Sequence, residues 1–223
     1  PIPVPKTFKE PEKPVPAPVE RTGKPYTFKE RKLTASELEY WQQYGITPEI
    51  LEQYKVCSVV QFQSENADGN PFSYSSTKEE PIYGYKNKRF IKLYRPFSKT
   101  RFLYGGNIGE SYCFGLEQLP SKGDTLFITG GEKDVMSLAA HGFHAICFNS
   151  ETVTVPPNII YKLTFRFKHI ILLYDMDATG VESAKKHEKQ LCEYGVKRLL
   201  LPLQGTKAEK DISDYFRAGN SRE

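Results

Sequence analysis

Ile170-Ile-Leu-Leu-Tyr174, followed by Asp175-Met176-Asp177-Ala-Thr-Gly180, decides the architecture of this 223-residue chain. The first half is a short, almost wholly apolar run, the pattern of a strand buried on both faces, and the second half stops it with charge and turns into a helix. The same grammar recurs on both sides. Strands are expected at Leu126 to Thr129, His144 to Phe148, His169 to Tyr174 and Arg198 to Leu201, with helices at Lys133 to His141, Asn158 to Phe165, Ala178 to Tyr194 and Ile212 to Ala218. Strands alternating with helices through short connections predict an α/β unit over residues 120–223, a parallel sheet flanked by helices.

Upstream the pattern changes. Thr34-Ala-Ser-Glu37 is a capping box, with Leu38, Trp41 and Tyr44 at helical spacing behind it, and Thr47-Pro48-Glu49 starts a second helix. Residues 56–114 read as β-rich, with strands at Val56 to Phe62, Pro81 to Tyr85, Arg89 to Tyr94 and Ser111 to Phe114 between turn signals such as Asp68-Gly69-Asn70. Residues 34–119 are therefore expected to form a small α+β subdomain. Prolines at every second or third position make residues 1–33 a linker or tail, of the kind that follows a further domain.

Ligands of a parallel sheet gather beyond the carboxyl ends of its strands, and here those positions are acidic. Asp175 and Asp177 fall on one side of an extended segment, where their mutual repulsion is relieved by a cation, and hard oxygen donors suit Mg²⁺ or Mn²⁺. Asp177 also stands where a helix cap belongs. Glu132-Lys133-Asp134 follows the first strand and Asp211-Ile-Ser-Asp214 the last. Three acidic sites at separate strand ends fit a metal cluster better than independent caps.

These residues resemble the Toprim fold, a Rossmann-like sheet shared by DnaG-type primases, topoisomerases and some nucleases. The resemblance runs from about Leu126 to Ala218. It rests on the Gly131-Glu132-Lys133-Asp134 turn, the Asp175-Met-Asp177-Ala-Thr-Gly180 turn and the terminal Lys210-Asp-Ile-Ser-Asp-Tyr-Phe216. The terminal stretch and the basic segment before the sheet are similar to the primase branch, bacterial and phage. The resemblance implies a primase catalytic domain that makes RNA primers on single-stranded DNA from NTPs. Glu132, Asp175 and Asp177 would be catalytic, and these three with Asp211 would hold the metal. The family's catalytic glutamate usually stands two positions before Glu132, where this chain has Gly130. Glu132 is the favoured replacement. Glu151, in the turn after the second strand, is the alternative, and a template- or nucleotide-binding module of weak catalysis is a third reading. A Toprim nuclease would use the same acids with water as nucleophile.

A second feature is the run Lys86, Lys88, Arg89, Lys92, Arg95, Lys99 and Arg101, which interleaves aromatics with seven cations in 16 residues and no acid. Cations among aromatics are what a single-strand channel uses, so these residues, with Lys133 toward a phosphate, are the candidate nucleic-acid and NTP contacts. Within the strand, Arg89, Ile91, Leu93 and Arg95 share one face and Phe90, Lys92 and Tyr94 the other, so the charges form no single stripe. Four cysteines, Cys57, Cys113, Cys147 and Cys192, have no metal-ligand spacing; they are expected to be reduced, three of them in core positions, with no zinc in this chain. The net charge of +4 says little by itself. No apolar run is long enough for a bilayer and no signal peptide opens the chain, so a cytoplasmic protein without a membrane partner is expected. The absence of a GxxxxGK[ST] motif puts any replicative helicase, like the zinc-binding module that would choose a start site, in another domain or protein.

Overall fold

The computed structural model describes Gly23, Pro25 to Asn66, Asp68 to Gly109 and Tyr112 to Asn220. It divides into two compact units at Tyr112/Cys113, seven residues before the boundary expected from sequence. The reason is a bridge: Phe114 N–H donates to Cys147 O at 2.9 Å and Cys147 N–H donates back to Phe114 O at 3.1 Å. Leu116 and Leu119 then pack against the core of the parallel sheet. The strand expected at Ser111 to Phe114 reduces to this bridge at Phe114, and Ser111 lies outside the described residues.

The N-terminal unit is an antiparallel sheet in the order β1-β2-β4-β5-β6, with β3 paired to β2. Its strands are β1 (Tyr26–Arg31), β2 (Val56–Glu65), β3 (Pro71–Ser75), β4 (Tyr83–Lys86), β5 (Phe90–Tyr94) and β6 (Phe102–Gly106). Residues 26–31, expected to be tail, are a strand because Tyr26 and Phe28 alternate onto the core while Thr27 and Lys29 face out. The proline-rich residues before them fall almost wholly outside the described part.

Two helices, α1 (Ala35–Gln42) and α2 (Pro48–Gln53), form the expected hairpin. The capping box at Thr34 and Glu37 is formed. The same Glu37 carboxylate also takes Arg31 at 2.6 Å and Ser58 Oγ at 2.8 Å, so one cap ties α1 to β1 and β2. Trp41 of α1 is fully buried, edge-on to Tyr83 at 4.9 Å. Truncating such an aromatic costs about 3–5 kcal/mol.

The C-terminal unit is the expected parallel sheet, ordered β10-β9-β7-β8. Its strands are β7 (Gly123–Thr129), β8 (His144–Cys147), β9 (Phe167–Leu173) and β10 (Lys197–Arg198). Its helices are α3 (Glu132–Ala140), α4 (Pro157–Thr164), α5 (Ala178–Gln190) and α6 (Ile212–Arg217). The helix expected to reach Tyr194 ends at Gln190, and Cys192–Tyr194 is a separate 3₁₀ turn. Leu126, Ile128, Ile146, Ile170 and Leu172 fill the middle of the sheet. The chain runs from β7 to β8 on one side and returns to β9 on the other. This reversal of strand order opens a crevice over the carboxyl ends of the strands, at β7.

Of the four thiols, Cys57 and Cys147 are buried, Cys113 is half-buried against the sheet core and Cys192 is exposed; all four are free. Among the described residues no helix is long and apolar enough to cross a membrane.

Candidate functional site

Three carboxylates converge over the crevice. Asp134 comes from the first turn of α3, Asp175 from the turn after β9, and Asp211 from the start of α6. One oxygen from each lies within 4.8 Å of the other two. Local bonds build this arrangement. Thr129 Oγ1 donates to Gly131 O at 3.1 Å and steadies the turn into α3. Met176 N–H donates to Lys210 O at 2.7 Å, laying the segment before α6 along the Asp175 turn. Asp211 caps α6 by accepting the Asp214 N–H at 2.8 Å. Gly180 is required by close approach: a Cβ there would collide with the Asp175 carbonyl oxygen.

The charges do not balance. Five carboxylates, Asp134, Glu151, Asp175, Asp177 and Asp211, share two ammonium groups. Lys133 Nζ reaches both Asp211 oxygens, at 3.1 and 3.0 Å, and Lys210 Nζ bridges Asp175 at 2.5 Å and Asp177 at 3.0 Å. Burial holds the Asp134 carboxyl well above its usual range; Asp211 adds to this and Lys133 opposes it. Burial likewise raises Asp175 against the pull of Lys210. Glu151 is pushed up to about 7, by burial first and then by Asp175 and Asp177. Lys210 is the converse case: burial would lower it, but its bonds to Asp175 and Asp177 hold it above the ordinary lysine range. Clustered hard oxygens with surplus negative charge, one of them the buried and unpartnered Oε2 of Glu151, fit a divalent cation.

The membership differs from the sequence expectation. Asp134 belongs to the group, whereas Glu132 and Asp177 are not among the carboxylates that meet there. Glu132 and Asp134 are two positions apart on α3, so they point to different sides of the helix. Glu132 is buried, at 1% exposure. Asp177 caps α5 through the Gly180 N–H at 3.0 Å. Burial pulls its pKa upward, but that bond and Lys210 outweigh it and hold Asp177 below the aspartate range. Asp177→Ala should therefore cost about 1 kcal/mol in urea unfolding, and Asp177→Asn, which keeps a capping oxygen, far less. Equal losses in the two variants would contradict the cap. Lys133, expected at a phosphate, instead sits on Asp211.

In the N-terminal unit the basic run separates into inner and outer residues. Lys92, 2% exposed, lies under the rings of Phe102, Tyr104 and Tyr112, with its ammonium 4.7 Å from the Phe102 centroid. Arg95 is buried, its guanidinium 4.4 Å from the Tyr74 ring centroid and 3.5 Å from Glu80. Neither presents its charge to a ligand; burial of the sheet face and ring stacking claim them. Lys86 pairs with Glu30 at 2.8 Å. Lys88, Arg89, Lys99 and Arg101 are exposed. Beside them, edge strand β6 holds out Phe102 and Tyr104, 38% and 41% exposed. Tyr104 lay outside the basic run; its spacing of two from Phe102 is the signal that could have found it.

Residues 127–216 match a family model described as Toprim-like. Among curated proteins no sequence matches. Solved structures share the fold. The DnaG primase catalytic domain bound to ssDNA superposes with a TM-score of 0.61 at 16% identity, over 86% of this chain and 72% of that one. The primase fragment of the bacteriophage T7 primase-helicase gives 0.56 at 16% identity, over 94% and 79%. The Aquifex aeolicus primase, with its zinc-binding and RNA polymerase domains, gives 0.54 at 14% identity; the match covers 83% of this chain and 53% of that one, so the present chain spans about half of that protein.

Proposed function

We propose that this chain, which carries a Toprim-like domain in the fold of primase catalytic cores, is the polymerising core of a primase that makes RNA primers on single-stranded DNA. The observation that carries this reading is the convergence of Asp134, Asp175 and Asp211 beyond the strand ends of the parallel sheet. These three would hold Mg²⁺ or Mn²⁺. When bound, the cation supplies a lowered hydroxyl pKa and charge neutralisation on the leaving pyrophosphate. The protein's share is to fix the carboxylates: Ser213 Oγ donates to Asp134 at 2.5 Å, and Lys133 and Lys210 hold Asp211 and Asp175 in place. Because both lysines already sit on carboxylates of the centre, they would be placed to meet the phosphate oxygens of a bound nucleotide.

The template reading is supported by exposed Lys88, Arg89, Lys99 and Arg101 beside exposed Phe102 and Tyr104, cations and stacking rings together. The likeness to a DnaG domain solved with ssDNA agrees with it. A cytoplasmic setting with a replicative helicase and a start-site-reading zinc module belongs to the same reading.

The deciding assay incubates the chain with ssDNA of varied sequence, labelled NTPs and Mg²⁺ or Mn²⁺. Cation-dependent extension is the expected result; shortening of the DNA would make the domain a nuclease, and binding alone a template module. Binding should weaken steeply with salt. Neutralising Arg89 and Arg101 together should flatten the slope of log K against log salt by about one to two units. Neutralising buried Lys92 should lower the melting temperature and leave the slope unchanged. A slope that depends on Lys92 and ignores Arg89 and Arg101 would mean the template runs elsewhere.

A further inference from the structure

We infer that Glu151 is a cation-facing carboxylate of this centre, standing in the space that a side chain at position 130 would occupy. The inference rests on the reading of Asp134, Asp175 and Asp211 as a cation site.

A Cβ built on Gly130 would lie 3.1 Å from Glu151 Oε2 and 3.2 Å from Asp175 Oδ1. The two carboxylates therefore flank the empty side-chain space of Gly130, one arriving from the turn after β8 and the other from the turn after β9. Both separations are tighter than ordinary van der Waals contact, so a larger residue at 130 would crowd both groups. Gly130 has no left-handed backbone that would require glycine. What glycine provides there is room, and the Glu151 carboxylate takes it.

The carboxylate is held but not satisfied. It lies beside Asp175, the two carboxylates meeting the same point over Gly130. Its Oε2 is buried with no hydrogen-bond partner. An orphaned buried acceptor is unfavourable, and its neighbour Asp175 makes the position worse. The β8 turn keeps it there nonetheless: Ser150 Oγ accepts the Thr152 N–H at 3.3 Å, and buried Val155 anchors the segment in the sheet core. A cation bound on Asp175 would give Oε2 the partner it lacks. Glu132 is buried in the first turn of α3 and is not one of the three carboxylates that meet. The glutamate that the sequence lacks at 130 is thus supplied from 21 positions downstream (151 − 130).

The test is Mn²⁺ titration of the full chain, followed by loss of the free-ion EPR signal, with melting curves in parallel. Asp175→Asn should abolish tight Mn²⁺ binding. Glu151→Gln should weaken it by about 10-fold or more, and Glu132→Gln by less than about twofold. Gly130→Glu alone should lower the melting temperature, because its Cβ enters the crowded space. Combined with Glu151→Ala, the same substitution should restore Mn²⁺ affinity to within about threefold of the parent and recover the lost stability, a reversal of sign that only shared space produces. If Asp175→Asn abolishes binding while Glu151→Gln binds as the parent does, the inference is wrong and the centre stands. If Asp175→Asn also binds normally, the centre itself is misread and the inference falls with it. A double variant that folds but does not regain affinity overturns the exchange, and if it fails to fold, the single Glu151→Gln titration decides.

Discussion

Asp175→Asn should lower cation-dependent primer synthesis by about 10³-fold or more, with far-ultraviolet circular dichroism unchanged. Asp175 is the residue on which the centre turns. It belongs to the group with Asp134 and Asp211, faces Glu151 across Gly130, and takes the shorter of the two Lys210 bonds. Asparagine keeps the shape and one acceptor oxygen but removes the charge that a hard cation needs. The fold does not depend on that charge, because the turn is held by Met176 N–H to Lys210 O and by packing at Gly180. The Asp175 carboxyl is also raised by burial, so a neutral group there relieves repulsion. Synthesis above about one-tenth of the parent rate in this variant would remove Asp175 from the chemistry. Loss of synthesis with collapse of the circular dichroism signal would instead reveal a structural residue.

The inner strands of the parallel half were legible because they read as apolar runs closed by charge, whereas the strand expected at Arg198 to Leu201 is only Lys197–Arg198, at the sheet's edge. Ile170 to Leu173, the end of β9, needs no tertiary context to be a strand. The antiparallel half was harder. In β3, Phe72 and Tyr74 alternate with serines over only five residues, too short a signal to stand out. In β6, Gly105 and Gly106 carry no strand signal although both lie in the strand, where Gly105 leaves room for the Tyr26 and Phe62 rings. β1 was lost in the composition of the proline-rich leader beside it.

At the candidate site, strand-end logic pointed to Asp175 and Asp211, two of the three carboxylates that meet. It noticed Asp134 but preferred Glu132, because sequence spacing alone does not say which of two acids on a helical turn faces the crevice. Lys92 shows how charge misleads. Its shared strand face with Phe90 and Tyr94 was visible, yet only the registry of Lys92 with Tyr104 reveals the rings that cover it. The place of Glu151 after the second strand made it the alternative acid, but its approach to Gly130 arises only from the neighbouring strands β8, β7 and β9.

Asp134→Asn should make the cation-free protein more stable and the centre useless. The Asp134 carboxyl is held well above its usual range, first by burial and then by Asp211. A carboxyl whose folded-state pKa lies above its unfolded one stabilises the fold in its protonated form. That contribution is full below the ordinary aspartate value near about pH 4, and it declines as the pH rises toward the folded-state pKa. At neutral pH without a cation, where the unfolded carboxylate is already ionised, the parent chain therefore carries a cost that it lacks at about pH 4. Asparagine removes the charge and keeps an acceptor for Ser213 Oγ, the group that bonds Asp134 between α3 and α6. In EDTA at pH 7 the variant should gain roughly 0.5–2 kcal/mol in urea unfolding, the range typical of relieving strain at a functional site. The gain should shrink toward zero as the pH is lowered to about 4, where the parent carboxyl is itself protonated. Added Mg²⁺ should raise the stability of the parent but not of the variant, since only the parent offers the third charged oxygen. Primer synthesis should fall by about 10²-fold or more. A variant less stable than the parent in EDTA at pH 7 would mean that Asp134 is there to hold α3 against α6, and a Mg²⁺-induced shift that survives the substitution would mean that the cation is bound without it.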